Sequence, residues 1–196
     1  GFGRSGWPRG LMAGLARLKV RNLTLVANAV ISRYEEMGQL FQCGIIGRVI
    51  TSAARSAEGK SFFEQQWRAG RVQLECVPQG TFVERIRAGG AGIPAFYSHV
   101  GVGTELTHDK ESRFFSGVEY VLETAITADY ALIRGDVGDR YGNIAFRYTQ
   151  MNFALTMATA SRCAIAEVNR AIDSGLFPEL GRLPGVYVQR LIALGG

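Results

Sequence analysis

Apolar positions along this 196-residue chain follow two alternating periods. Residues 8–17 read as a helix with Pro8 at its first position, where the missing N–H costs nothing. Residues 22–27 (NLTLVA) form a short apolar strand, residues 36–43 a helix, and residues 48–52 (RVITS) the next strand. Residues 61–69 return to helix, and residues 72–77 (VQLECV) are a third strand. A helix over 81–88 follows, stopped by Gly89-Gly90. Beyond a glycine-rich stretch, residues 130–133, 144–146 and 164–168 read as buried strands, with a helix over 153–160. Strands alternating with helices of this length predict an α/β fold: a single domain with a largely parallel open sheet flanked by helices. No internal repeat and no dividing linker interrupts residues 1–196.

Composition narrows the function classes. Hydrophobic residues make up 47% and charged residues 20%, enough to bury a core and to exclude a disordered tail. No apolar run approaches the ~20 residues a membrane-spanning helix needs, and no membrane partner is expected. The net charge is +5, but only Lys19, Lys60 and Lys110 among the 22 basic residues are lysines, and the arginines are scattered. Without a basic stripe or an aromatic-interleaved segment, a nucleic-acid partner is not expected. An anionic small ligand is the better use of the excess charge. Cys43, Cys76 and Cys163 are odd in number, far apart and never in a CxxC pair. That argues against a disulfide scaffold or a zinc site and fits a reducing, cytoplasmic location. Glycine, at 25 residues, clusters at segment ends, where tight turns and backbone-lined sites form.

Several loops carry candidate chemistry. Gly1-Phe2-Gly3-Arg4-Ser5-Gly6 fits the dinucleotide fingerprint, but no Asp or Glu follows until Glu35, so the required acid ~20 residues on is missing. The glycines still imply backbone that turns sharply and approaches something closely before the first helix. In Pro78-Gln79-Gly80-Thr81-Phe82-Val83-Glu84, Thr81 and Glu84 have capping-box spacing. Gln79 and Gly80 then sit at a helix mouth directly after a strand, where α/β folds bind ligands and where free N–H groups favour anions. Gln79 is either a positioning donor or an ordinary exposed turn residue. Asn28 closes the first strand at the same sheet edge, either as a turn former or as half of a convergent amide pair at the ends of neighbouring strands. The small-residue turn Gly89 to Ala95 leads into Phe96 and Tyr97, which either wall an apolar channel or pack in the core. His99 and His108 have no partner at metal-ligand spacing, no G-x-S-x-G elbow is present, and no acid stands out as a nucleophile.

Taken together, Phe2-x-x-x-Gly6-x-Pro8, Asn22-Leu23-Thr24-Leu25-Val26, Pro78-Gln79-Gly80-Thr81 and the run ERIRAGGAGIPAFY from Glu84 to Tyr97 resemble the α subunit of family I CoA-transferases. These include the succinyl-CoA:3-oxoacid and 3-oxoadipate enzymes. Asp129-Tyr130-Ala131-Leu132-Ile133, Gly138 to Asn143, Asn152-Phe153 and Pro184 to Val188 extend the resemblance along essentially the whole chain. It implies one CoA-transferase α-subunit domain over 1–196, with the family's first strand expected ahead of Gly1.

The resemblance also implies a mechanism. A glutamate of the family's β subunit, in a Ser-Glu-Asn-Gly motif, attacks an acyl-CoA thioester and becomes a glutamyl-CoA thioester. This chain contains no such motif. It is therefore expected to complete its site with a β subunit, as α2β2, and to transfer CoA from succinyl-CoA to a 3-oxo acid such as acetoacetate or 3-oxoadipate. Such reactions belong to ketone-body or aromatic catabolism. A related acyl-CoA hydrolase or ring-opening enzyme is the alternative. By position, Asn28 matches an oxyanion-stabilising asparagine, and Gln79 a glutamine beside the nucleophile. Gly1, Phe2, Gly3, Gly80, Gly90, Ala91, Gly92 and Phe96 match the substrate- and CoA-facing side. No metal and no tightly bound cofactor is expected, with the CoA thioester itself as substrate. Two departures fall near the expected substrate pocket: Ala29-Val30 after Asn28 where the family has a second Asn and a glycine, and Val100-Gly101-Val102-Gly103-Thr104 where many members read Thr-Gly-Tyr-Gly-Thr.

Overall fold

The computed structural model describes residues 5–30, 35–54, 61–176 and 183–195. The fold is mixed α/β with parallel sheets flanked by helices, and the chain divides into two compact units. One is Arg9–Phe82; the other runs from Val83 onward and includes the residues up to Pro8.

The first unit alternates helix and strand: α1 (Arg9–Ala16), β1 (Leu23–Val26), α2 (Glu35–Gln42), β2 (Ile46–Thr51), α3 (Phe62–Arg68), β3 (Gln73–Cys76) and the start of α4 (Gln79–Gly90). The strands pair in parallel in the order β1-β2-β3. Both crossovers step in the same direction, so right-handed connections lay α2 and α3 on one face. There α1 packs against α2 and α2 against α3. Helix α2 buries Met37, Leu40 and Phe41, and the Phe41 ring meets Phe63 of α3 at 5.4 Å between centroids. Central strand β2 contributes buried Ile46, Val49, Ile50 and Thr51. Fully buried apolar side chains of this size stabilise by about 1.5–3 kcal/mol each, which is what holds the strand ends in register.

The second unit contains β4 (Ala95–Ser98), β5 (Ser112–Phe115), β6 (Val118–Thr124), β7 (Ala128–Arg134), β8 (Val137–Asp139), β9 (Ile144–Ala145), α5 (Ala154–Thr159), β10 (Ser161–Val168), β11 (Arg170–Ile172) and β12 (Arg190–Ala193). Parallel strands in the order β12-β10-β7 carry α5 over a core of Ala131, Ile133, Ala164, Ala166 and Val168. The glycine-rich stretch left unassigned above is an antiparallel sheet, β4-β6-β5. Ser116 (φ 49°) and Gly117 (φ 80°) form the two-residue turn between β5 and β6, both in the left-handed region that such hairpins require.

Helix α4 corrects two expectations. It begins at Gln79 rather than Thr81, because the Pro78 carbonyl accepts the Phe82 N–H at 2.8 Å. Thr81 therefore lies inside the first turn and caps nothing. Its Oγ1 is buried with no hydrogen-bond partner among the described residues. The same Ser/Thr-x-x-Glu spacing operates one helix earlier, where Ser61 Oγ accepts the Glu64 N–H at 3.1 Å at the start of α3. Nor do Gly89 and Gly90 stop α4. They lie within it, and a Cβ on Gly89 would meet the Ile126 carbonyl oxygen at 2.2 Å, one on Gly90 the Thr159 Oγ1 at 2.5 Å. The stop is Gly92 (φ 73°), with Ile93 N–H donating to the Ala88 carbonyl and Gly92 N–H to that of Gly89, a Schellman cap.

A buried carboxylate organises the turn after β8. Asp139, 1% exposed, accepts the N–H groups of Tyr141, Asn143 and Leu176 at 2.9, 2.8 and 2.9 Å, and Asn143 Nδ2 at 2.8 Å. Burial opposes its charge, but the donors outweigh burial and hold its pKa below the usual carboxylate range.

Two stability outcomes are expected. Ser61→Ala should cost about 1 kcal/mol in denaturant unfolding, whereas Thr81→Val should be neutral or stabilising because it deletes an unpaired buried hydroxyl; a destabilising Thr81→Val would restore the cap. A depressed native pKa gives stability that is present above the unfolded value and lost as pH falls. Asp139→Asn should therefore cost about 2–3 kcal/mol at pH 7, and the gap to wild type should narrow below about pH 4. Melts at both pH values check this.

Candidate active site

Parallel pairing places the carboxyl ends of β1, β2 and β3 along one edge, and residues just beyond them are held by the continuing ladder. Ala27 N–H donates to the Ile50 carbonyl at 3.1 Å and Val30 N–H to the Ala53 carbonyl at 3.2 Å, which fixes Asn28 between them. Asn28 is 8% exposed. Its main-chain oxygen accepts from Thr51 Oγ1 (3.1 Å) and Ser52 N–H (3.3 Å), and Ser52 Oγ lies 2.9 Å from it. Its side-chain Oδ1 accepts from Ser52 Oγ at 3.0 Å and from Gln79 Nε2 at 3.3 Å.

The two amides foreseen at strand tips thus meet. They do not come from adjacent strands, however: β2 lies between β1 and β3, and Ser52, just past the end of β2, joins the cluster. With its oxygen engaged, Asn28 turns Nδ2 the other way, where no acceptor takes it among the described residues. Gln79 is exposed as the first residue of α4, and Gly80 follows it in an open position where an added Cβ meets nothing within 4 Å. The opening N–H groups of a helix have no intrahelical acceptor, so that strand edge carries two kinds of neutral donor, Nδ2 of Asn28 and the first N–H groups of α4. Such donors stabilise negative charge developing on an oxygen.

The other foreseen site residues fall elsewhere. Gly90, Ala91 and Gly92 form the C-terminal end of the helix that Gln79 opens, and their conformations are accounted for by the Thr159 contact and the Schellman cap. Phe96 is half-buried in β4 opposite Glu123, while Tyr97 donates to Glu111 Oε1 at 2.5 Å and packs edge-on to Phe115. Gly1, Phe2 and Gly3 lie outside the described residues. Gly6 does make a close approach: with φ 68°, its missing Cβ leaves room for the Gln150 carbonyl oxygen, 2.4 Å from where that atom would stand. Two surface clefts, of about 410 and 630 Å³, lie in the second unit and contain neither amide. They are wide and shallow. Ser52 went unremarked in the sequence; it stands one residue past β2, beside Asn28 two residues past the neighbouring β1. Among the described residues no cluster of His, Cys, Asp or Glu is placed to hold a metal, all three cysteines are free thiols, and no helix is long and apolar enough to cross a membrane.

A family model described as coenzyme A transferase matches residues 1–194. The chain belongs to the coenzyme A transferase family. It is 41% identical, over its whole length and 85% of the relative, to one subunit of the 3-oxoadipate CoA-transferase of Pseudomonas putida. It is 45% identical, over 98% of itself and 78% of the relative, to one subunit of the succinyl-CoA:3-ketoacid coenzyme A transferase of Xanthomonas campestris. Among solved structures, the glutaconate coenzyme A-transferase of Acidaminococcus fermentans superposes with a TM-score of 0.86 at 16% identity, covering 98% of this chain and 68% of that one. An acyl-CoA transferase of Escherichia coli O157:H7 gives 0.81 at 21% identity, covering 97% and 42%. The resemblance drawn from the motifs is borne out along the whole chain, and the protein is an enzyme of CoA transfer.

If Gln79 serves chemistry rather than folding in this CoA-transferase, Gln79→Ala should change unfolding free energy by no more than ~0.5 kcal/mol, as for an ordinary exposed site. A loss above 2 kcal/mol in denaturant melts would make it a structural residue.

Proposed function

We propose that this chain is the α subunit of a heteromeric CoA-transferase that moves CoA from succinyl-CoA to a short 3-oxo acid such as acetoacetate or 3-oxoadipate. The observation that carries the reading is the anchored Asn28–Gln79 amide pair in a chain without the Ser-Glu-Asn-Gly run. The names of the relatives, each a single subunit of such an enzyme, support it. The partner is a β subunit, the assembly α2β2 and the compartment the cytoplasm.

In this reading a carboxylate oxygen of the β-subunit glutamate attacks the thioester carbonyl carbon. Asn28 Nδ2 donates to the carbonyl oxygen as it gains charge, and Gln79 holds the substrate or the attacking carboxylate. The C–S bond breaks, leaving an acyl–glutamyl anhydride and CoA thiolate. The thiolate then attacks the glutamyl carbonyl and displaces the donor as its carboxylate. The acceptor acid attacks the resulting glutamyl-CoA thioester, and the returning thiolate frees the glutamate and yields the new acyl-CoA. The first and last steps pass through an oxyanion on the substrate carbonyl and the two middle steps through one on the glutamyl carbonyl; Asn28 is assigned to the substrate carbonyl, so one fixed donor serves the first and last steps. Gly80, with Gly90, Ala91, Gly92, Phe96 and the opening Gly1-Phe2-Gly3, is assigned to the side that faces substrate and CoA. Water must be excluded, since hydrolysis of either thioester wastes the cycle.

The test is co-expression with the β partner, followed by assay with succinyl-CoA and acetoacetate. Asn28→Ala should lower kcat by about 10²–10³-fold, Gln79→Ala should also lower it sharply, and the isolated chain should be inactive. Full-rate transfer by the chain alone would overturn the shared site. Release of free CoA without any acceptor acid would instead identify a hydrolase.

A further inference from the structure

We infer that Ser52 is a positioning residue for CoA transfer: its hydroxyl fixes the Asn28 amide with oxygen inward and Nδ2 outward toward the reacting carbonyl. The inference rests on the reading of Asn28 as oxyanion donor and assigns the orientation of that donor to one proton.

Ser52 Oγ lies 2.9 Å from the main-chain oxygen of Asn28 and 3.0 Å from its Oδ1, and a hydroxyl has a single proton to give. The main-chain oxygen already takes the Thr51 hydroxyl, 3.1 Å away against 3.5 Å to the Ala53 carbonyl, and the Ser52 N–H at 3.3 Å, which fill both its lone pairs. The Ser52 proton therefore goes to Oδ1. An asparagine amide is nearly symmetric in shape, so only its hydrogen bonds decide which end faces the substrate. Turned over, Asn28 would present its oxygen to a developing oxyanion and repel it, while Ser52 would have to crowd a third donor onto a filled carbonyl.

Gln79 cannot impose the orientation alone. Its bond to Oδ1 is longer, at 3.3 Å, it comes from an exposed side chain, and a glutamine offers either an N–H or an oxygen by the same rotation. Ser52 hangs from the end of a strand whose preceding residue, Thr51, is fully buried, so its Oγ is the rigid anchor. Donation into Oδ1 also draws electron density from the amide nitrogen and makes Nδ2 a better donor.

A double-mutant cycle on the complex with the β partner, assayed with succinyl-CoA and acetoacetate, tests this. Ser52→Ala should lower kcat about tenfold, the value of one ordinary hydrogen bond, with KM for both substrates unchanged. Ser52→Thr, which keeps the hydroxyl, should restore most of the rate. In the Asn28→Ala background Ser52→Ala should cost nothing further. Wild-type kcat in Ser52→Ala, or losses that multiply in the double variant, would overturn the positioning role while leaving Asn28 as oxyanion donor intact. Wild-type kcat in Asn28→Ala would overturn the oxyanion reading and this inference with it. Should Ser52→Ala fail to fold, Ser52→Cys, a weak donor of similar size, should fall between alanine and wild type; full activity there would count against the role.

Discussion

A nearly buried amide oxygen has to be hydrogen-bonded, and at Asn28 that requirement sets the direction of the nitrogen as well. An unpaired buried acceptor costs on the order of 1–3 kcal/mol, so the oxygen stays where Ser52 and Gln79 reach it. The nitrogen is left facing the other way. What makes the arrangement possible is parallel pairing, which brings three strand ends to one edge. An antiparallel sheet of the same three strands would send alternate ends to opposite edges and could not gather residues 28, 52 and 79.

Rigidity of that edge comes from what lies behind it. Val30, Val49 and Thr51 have no exposed surface, and Val77 and Phe82 have 1% each. Close-packed interiors resist displacement by even a methylene. The residues of that edge are therefore held by the core behind them, as the proposed stabilisation of transient charge requires. Among the described residues, helix α4 adds the one element of the candidate site that is not a strand end, and its early start at Gln79 is set by Pro78. Had Thr81 capped the helix, Gln79 would stand in the loop ahead of it, free to swing away from Asn28.

Long apolar periods were legible in the sequence: the strands of the first unit, and α1, α2 and α3, fall within a residue or two of where periodicity puts them. Two kinds of feature were not. One is a choice between equivalent local signals. Ser61-x-x-Glu64 and Thr81-x-x-Glu84 have identical spacing, but only the first caps a helix, because Pro78 supplies the earlier start for the second. The other is pairing between distant segments. The β5–β6 hairpin turns on a Ser-Gly pair among mostly exposed residues, where burial prints no period, and the roles of Gly89 and Gly90 are set by Ile126 and Thr159 far along the chain. At the candidate site, Asn28 and Gln79 could be named from strand ends and motif resemblance. Ser52 could not, since its importance lies in which oxygen its proton can reach.

Among the described residues, the groups gathered at that edge are neutral. Acids are taken up by basic residues elsewhere: Glu36 by Arg9, Glu75 by Arg48, Glu64 by Arg68, Glu84 by Arg87, and buried Glu123 by Lys110 with Arg85 nearby. None of these pairs includes Asn28, Ser52 or Gln79. The difference matters for the proposed reaction, in which one carboxylate attacks and another leaves. A cation at the edge would bind the attacking carboxylate in its ground state about as well as the charge of the transition state, and uniform binding of that kind does not raise kcat. Amide donors aimed at the carbonyl oxygen gain strength only as that oxygen becomes charged. In the proposed mechanism, amides at Asn28 and Gln79 would thus favour the transition state over the carboxylate that must remain reactive.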